Sequence, residues 1–340
     1  VGCAALDQIE TAPEKPRFNV SAFFLTLVLL QALRIAIGYT AVPISLVAAL
    51  TILTTAIFVA VPIFAVFKAA ANPWSSKLAL LFIVVGAPLQ FGLVYAAKHG
   101  LTGFSVLLAL SVAQIALFTW CVGLGALLAT LIKDKNLFIP ITICLALLDV
   151  YLIFAPSSIT RFVMEKAPEV LPSMGASIPK VQTTVSSAPV GQFATIGPAD
   201  FVFLGMLFIA LFRFNLRTRQ TLLVLVPTVL VYLVLAAIFG AIPLLPPIVL
   251  TVLFVNLKEF KLTKEEWIST GVVSAFFLGV LIYGLTRPPQ VEIVRVPPVG
   301  PSNSAPGPKT PGSGGSPGQA GPDRRPSSSP AAPGSTPDRP

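Results

Sequence analysis

The chain has 340 residues, a formal net charge of +9, 55% hydrophobic residues and only 11% charged ones, with a mean hydropathy of +0.85. A soluble domain carries about a quarter charged residues, so this composition argues against a soluble globular enzyme. The cations are scattered between apolar runs instead of lying on one face, which argues against nucleic-acid binding as well.

Residues 1–18 are polar and form an N-terminal segment. Nine apolar runs follow, at 20–39, 42–67, 77–97, 103–132, 137–155, 199–214, 219–240, 242–257 and 267–286. A transmembrane helix needs about 20 such residues, so the expected fold is an all-α polytopic membrane protein of about nine transmembrane helices. Residues 19–136 read as an N-terminal bundle of four spans, and 137–287 as a second membrane core. The run 103–132 is long and contains Gly123 and Gly125, which suggests a tilted or broken helix. The run 242–257 is short and opens on Pro243, Pro246 and Pro247. Such irregular backbone is tolerated at membrane depth only where protein or a water-filled cavity covers it. Between the fifth and sixth runs, Val181-Gln182-Thr183-Thr184-Val185 alternates like a strand and is a candidate for holding an extended substrate. Residues 288–340 contain 15 prolines with abundant Gly and Ser. They are too poor in apolar surface to fold, and read as a disordered tail.

Positive charge sets the expected orientation. With the N-terminus inside, the inner segments hold twelve Lys and Arg residues (Lys15, Arg17, Lys68, Lys77, Lys133, Lys135, Arg213, Arg217, Arg219, Lys258, Lys261 and Lys264). The outer loops hold four: Lys98, Arg161, Lys166 and Lys180. The N-terminus is therefore expected in the cytoplasm and the tail outside.

One histidine and three cysteines give no disulfide framework, no zinc-protease motif and no expected metal or cofactor. Ser105 with His99 is the only serine–histidine pairing on offer for a membrane serine protease. Two acids fall inside apolar runs: Asp149 in Leu148-Asp149-Val150-Tyr151, and Asp200 in Gly197-Pro198-Ala199-Asp200. A charged Asp at the centre of a span costs about 3 kcal/mol on insertion scales, and an intramembrane acid is a functional hypothesis by default. Asp149 lies near the outer end of its run and Asp200 near the outer start of the next, so helical rise brings both to the outer third of the bilayer. Two carboxyls sharing one site are the arrangement of an aspartyl-protease dyad. They also suit an ion site in a transporter.

Gly197-Pro198-Ala199-Asp200 resembles the GxGD motif of the presenilin and signal peptide peptidase family of intramembrane aspartyl proteases. The residues Asp200-Phe-Val-Phe-Leu-Gly205 followed by Arg213-Phe214 are similar to the signal peptide peptidase pattern. Leu148-Asp149, with Tyr151 two residues on, resembles the YD motif of that family. Pro243-Leu244-Leu245 resembles its PAL motif and lies 43 residues after Asp200. The likeness covers roughly 137–257 and departs in each motif: LD for YD, GPAD for GxGD, PLL for PAL. One run also follows the proline motif, where the family usually ends.

The resemblance implies a presenilin-like bundle with Asp149 and Asp200 as the catalytic pair and no cofactor. Gly197, Pro243, Leu244, Leu245 and Tyr151 would shape the substrate groove. The substrates implied are transmembrane helices, either signal-peptide remnants or type II membrane proteins, in a prokaryotic plasma membrane. Two alternatives stay open. One is a catalytically silent relative that binds transmembrane helices. The other is a transporter or channel using the two acids as a proton or cation site.

Overall fold

A chain segment inside a bilayer must satisfy its backbone polar groups internally, and one chain can do so as a helix or a closed barrel. The computed structural model of this protein folds its apolar runs into helix. It describes residues 19–155, 175–181, 192–239, 243–260 and 262–286. The segment 1–18, the strand-like stretch after Val181 and the tail 288–340 lie outside the described residues.

In chain order the elements are α1 (Ser21–Gly38), α2 (Ile44–Ala70), α3 (Ser76–His99) and α4 (Phe104–Leu131). A 3-10 turn (Lys135–Leu137) leads into α5 (Phe138–Phe154). The strands β1 (Ala176–Pro179) and β2 (Gln192–Ile196) come next, then α6 (Pro198–Arg213), α7 (Thr218–Phe239), α8 (Leu245–Asn256) and α9 (Lys264–Thr286).

Seven of these helices are long and apolar enough to cross a membrane: α1 to α5, α7 and α9. The protein is an integral membrane protein built as a multi-helix bundle. The other two of the nine described helices are shorter than a full span. The 16 residues of α6 reach about 24 Å and the 12 of α8 about 18 Å, against a hydrocarbon core of about 30 Å. Burial compensates for the shortness of α6. Phe201, Val202 and every residue from 204 to 211 are buried, so α6 is apolar all round and enclosed by other helices. Its main partners are α4 and α2. By contrast α8 is two-sided, with Leu245, Ile248, Val249 and Val252 inward and Phe254 77% exposed.

Helix α4 runs unbroken through Gly123 and Gly125, so of the two expectations, tilt or break, the break does not occur. The glycines serve packing. A Cβ at Gly125 would stand 2.5 Å from the carbonyl oxygen of Val202 and 2.8 Å from the nitrogen of Met206. One at Gly123 would stand 2.7 Å from Cβ of Phe82. Small residues therefore let the backbones of α3, α4 and α6 approach closely, as in other membrane bundles.

Side-chain bonds tie the two ends of the bundle differently. At one end Asn19 N–H donates to Asn72 (2.7 Å), the Arg213 guanidinium caps the Ala129 and Ile132 carbonyls (both 3.2 Å), and Asn136 donates to Glu266 (2.8 Å). There too, Arg217 N–H donates to Asn256 (2.8 Å), and the Arg217 side chain pairs with Glu259. At the other end β1 and β2 pair antiparallel, with Ala176 opposite Ile196 and Ser177 opposite Thr195. Gln114 of α4 donates to Ser177 of β1 at 2.6 Å, fixing the strand pair to the bundle. Of the strand expected at 181–185, only Val181 is described, and the strands observed flank that stretch.

Candidate active site

Helix α8 begins Leu245-Pro246-Pro247. Every helix start leaves N–H groups without intrahelical partners, and the two prolines have no N–H to leave. The Leu245 N–H is therefore one of few donors at this terminus, and it donates to Oδ2 of Asp149 at 2.9 Å. The positive end of the α8 dipole also favours a carboxylate there. Pro243 is buried, and its carbonyl accepts the Tyr232 hydroxyl at 2.6 Å. This second tie holds the turn before α8 against α7. Leu244 is half-buried in that turn.

Asp200 stands in the first turn of α6, after Gly197 at the N-cap and Pro198 at the first helical position. Proline suits that position because its missing N–H is one of the orphans. The Asp200 carboxyl accepts back from the Gly197 N–H, as the acidic side chain at the third helical position does in a capping box. Gly197 has φ −62°, so left-handed backbone is not what calls for glycine here. Space is: a Cβ would lie 3.3 Å from Oδ2 of Asp200. On the other side Cys121 Sγ lies 3.5 Å from the Pro198 carbonyl.

The two acids are close enough for the charge of Asp149 to act on Asp200, and both are half-buried. The fold thus gathers Asp149, Asp200, Gly197, Pro243, Leu244 and Leu245 around the starts of α6 and α8. Tyr151 takes a different place. Its ring packs on Gly284 of α9, where any side chain would collide with it.

Two features of the site were not singled out in the sequence. One is Tyr232, whose signal is the single phenol within the apolar run of α7. The other is Cys121, which carries no sequence signal of its role beside Pro198. Ser105 and His99 are not paired. The Ser105 hydroxyl donates to Thr102, and the His99 ring lies on Tyr95. Among the described residues, no group of three or more His, Cys, Asp or Glu side chains could hold a metal ion.

This is a helical integral membrane protein in which an acid within an apolar helix, Asp149, bonds to a proline-led helix terminus. Comparison with known proteins adds no relative: no protein-family model, no curated protein and no solved structure matches the chain.

Proposed function

We propose that the protein is an intramembrane aspartyl protease of the presenilin and signal peptide peptidase type, cleaving peptide bonds within transmembrane segments. One observation carries the reading. The proline motif bonds to Asp149 through the Leu245 N–H, and Asp149 in turn acts on Asp200 at the start of α6. Two segments far apart in sequence, both singled out for chemistry, thus bond to each other, and the third lies within reach of the Asp149 charge.

In the reaction one carboxylate takes a proton from water as the water oxygen attacks the scissile carbonyl carbon. The other carboxyl gives its proton to the carbonyl oxygen. Collapse of the tetrahedral intermediate breaks the C–N bond, and the nitrogen leaves protonated. A helical substrate shields its peptide bonds in its own hydrogen bonds, so it must unwind first. Strand β2 ends one residue before α6, so an extended segment added along β2 would be led to Asp200.

On this reading the end carrying Arg213, Arg217 and Lys258 faces the cytoplasm, as in a prokaryotic plasma membrane, with the N-terminus inside and the tail outside. The substrates are then signal-peptide remnants and type II membrane proteins.

The test is cleavage of a panel of type II transmembrane peptides by the purified protein in detergent, beside Asp149→Asn and Asp200→Asn. Cleavage within the apolar segment, lost in both variants, is the expected result. Cleavage that survives either substitution overturns the dyad. A folded wild-type protein that cleaves no panel member, yet moves protons or cations in liposomes dependent on both acids, favours transport instead.

A further inference from the structure

Helix α1 buries one stripe: Phe23, Leu27, Leu30, Gln31 and Arg34. Its last two members are polar. Arg34 is 3% exposed and Gln31 4%, and one helical turn apart they share a face. Among the described residues, the Arg34 Nε and Nη1 atoms and both amide atoms of Gln31 are buried without a hydrogen-bond partner. A guanidinium keeps its charge in proteins. Burying one without a counter-charge costs several kcal/mol, and a charged side chain inside a span marks a functional site by default.

The neighbouring helices add hydroxyls at the same depth. Asn19 at the foot of α1 bonds to Asn72 at the foot of α2, so helical rise puts Arg34 about 22 Å and Thr55 about 25 Å from that end. Gly123 of α4 packs on Ala79 and Phe82 near the foot of α3, which puts Ser111 at about 25 Å too. The hydroxyls of Thr55 and Ser111 are likewise buried without partners. Helix α1 packs on α2, on α4 and on β1, and β1 is tied at this level through Ser177 to Gln114.

We propose that Arg34 and Gln31, with the hydroxyls of Thr55 and Ser111 at their level, form a binding site for a small monocarboxylate in the half of the bundle nearer the strand pair. One positive charge is balanced by one negative charge, whereas a phosphate dianion would leave an excess buried charge. The donors outnumber the acceptors. A carboxylate brings about four lone-pair sites and no donors, and its planar oxygens match the guanidinium fork. This site is independent of the acid pair, and either can fail without the other.

Acetate is the probe. The unfolding midpoint of the full chain in detergent is followed against sodium acetate and against sodium chloride at matched ionic strength. Wild type, Arg34→Gln and Gln31→Leu are compared. Acetate is expected to raise the wild-type midpoint saturably. The rise disappears in Arg34→Gln and needs about tenfold more acetate in Gln31→Leu. Saturation transfer from acetate protons to the protein, present in wild type and lost in Arg34→Gln, is the second readout. Should Arg34→Gln not fold, Gln31→Leu decides by its shifted saturation. No saturable response in wild type, an equal response in the variants, or chloride saturating at the same concentration as acetate overturns the proposal.

Discussion

The Leu245 N–H and the Asp149 carboxylate, 96 positions apart, meet at 2.9 Å and fix α8 to α5 at the level of the acid pair. The bond has two roles. It satisfies a donor at a helix start that two prolines have stripped, and it orients the carboxylate. Both roles can be separated by substitution.

Asp149→Asn keeps an oxygen acceptor for the Leu245 N–H, while Asp149→Ala removes it and orphans a half-buried donor. Thermal unfolding in detergent should therefore show Asp149→Ala less stable than Asp149→Asn by about 1–3 kcal/mol. Both should be inactive in peptide cleavage. Equal stabilities would mean that the carboxylate does not hold the α8 terminus.

Tyr232→Phe removes a single hydroxyl, the one donating to Pro243 at 2.6 Å. A loss of about 0.5–1.5 kcal/mol is expected, with activity reduced but present, because Tyr232 positions the turn before α8 and is not one of the acids. Abolished cleavage in a stable variant would give the hydroxyl a direct part in the chemistry.

Gly197→Ala places a methyl 3.3 Å from Oδ2 of Asp200 without straining the backbone. The fold should tolerate it, with the unfolding midpoint near that of wild type. Cleavage should fall if Asp200 is catalytic as proposed, since the methyl crowds its carboxyl. Unchanged turnover would count against Asp200 as a catalytic group.

Gly125→Ala and Gly205→Ala make a matched pair on the same helix contact. At Gly125 the added carbon would stand 2.5 Å from backbone oxygen, whereas at Gly205 its nearest neighbour is at 3.6 Å. Overpacking of this kind typically costs about 1–3 kcal/mol. Gly125→Ala should therefore lower the unfolding midpoint markedly, and Gly205→Ala should leave it nearly unchanged.

Asn256 is fully buried. It accepts the Arg217 N–H and donates to Thr221 and to the Val252 carbonyl. Asn256→Leu keeps the volume but strands the Arg217 N–H, so a destabilisation of about 1–3 kcal/mol is expected. A neutral result would show that α7 and α8 are held together by apolar packing alone.

Membrane character, the positions of the helices and the two acids within apolar runs were all legible from the residues alone. Apolar run length and the charge between runs are local quantities, and a bilayer leaves a single chain few ways to satisfy its backbone. The prolines at the start of α8 were legible for the same reason, as was Asp200 behind Gly197-Pro198.

What those residues do for one another depends on how the helices pack. Neither run length nor composition tells that α6 is enclosed while α8 keeps one face exposed, because burial depends on which helices surround a helix. Gly123 and Gly125 read as marks of a tilted or broken helix, and the structure shows them as points of close contact in an unbroken one, since a glycine's effect depends on the backbone opposite it. Tyr151 stands two residues from Asp149 yet faces α9, because successive side chains of a helix point in different directions. Arg34 and Gln31 sit in plain view within an apolar run. Their want of partners appears only once α2, α4 and β1 close over α1 and remove the water that would have satisfied them.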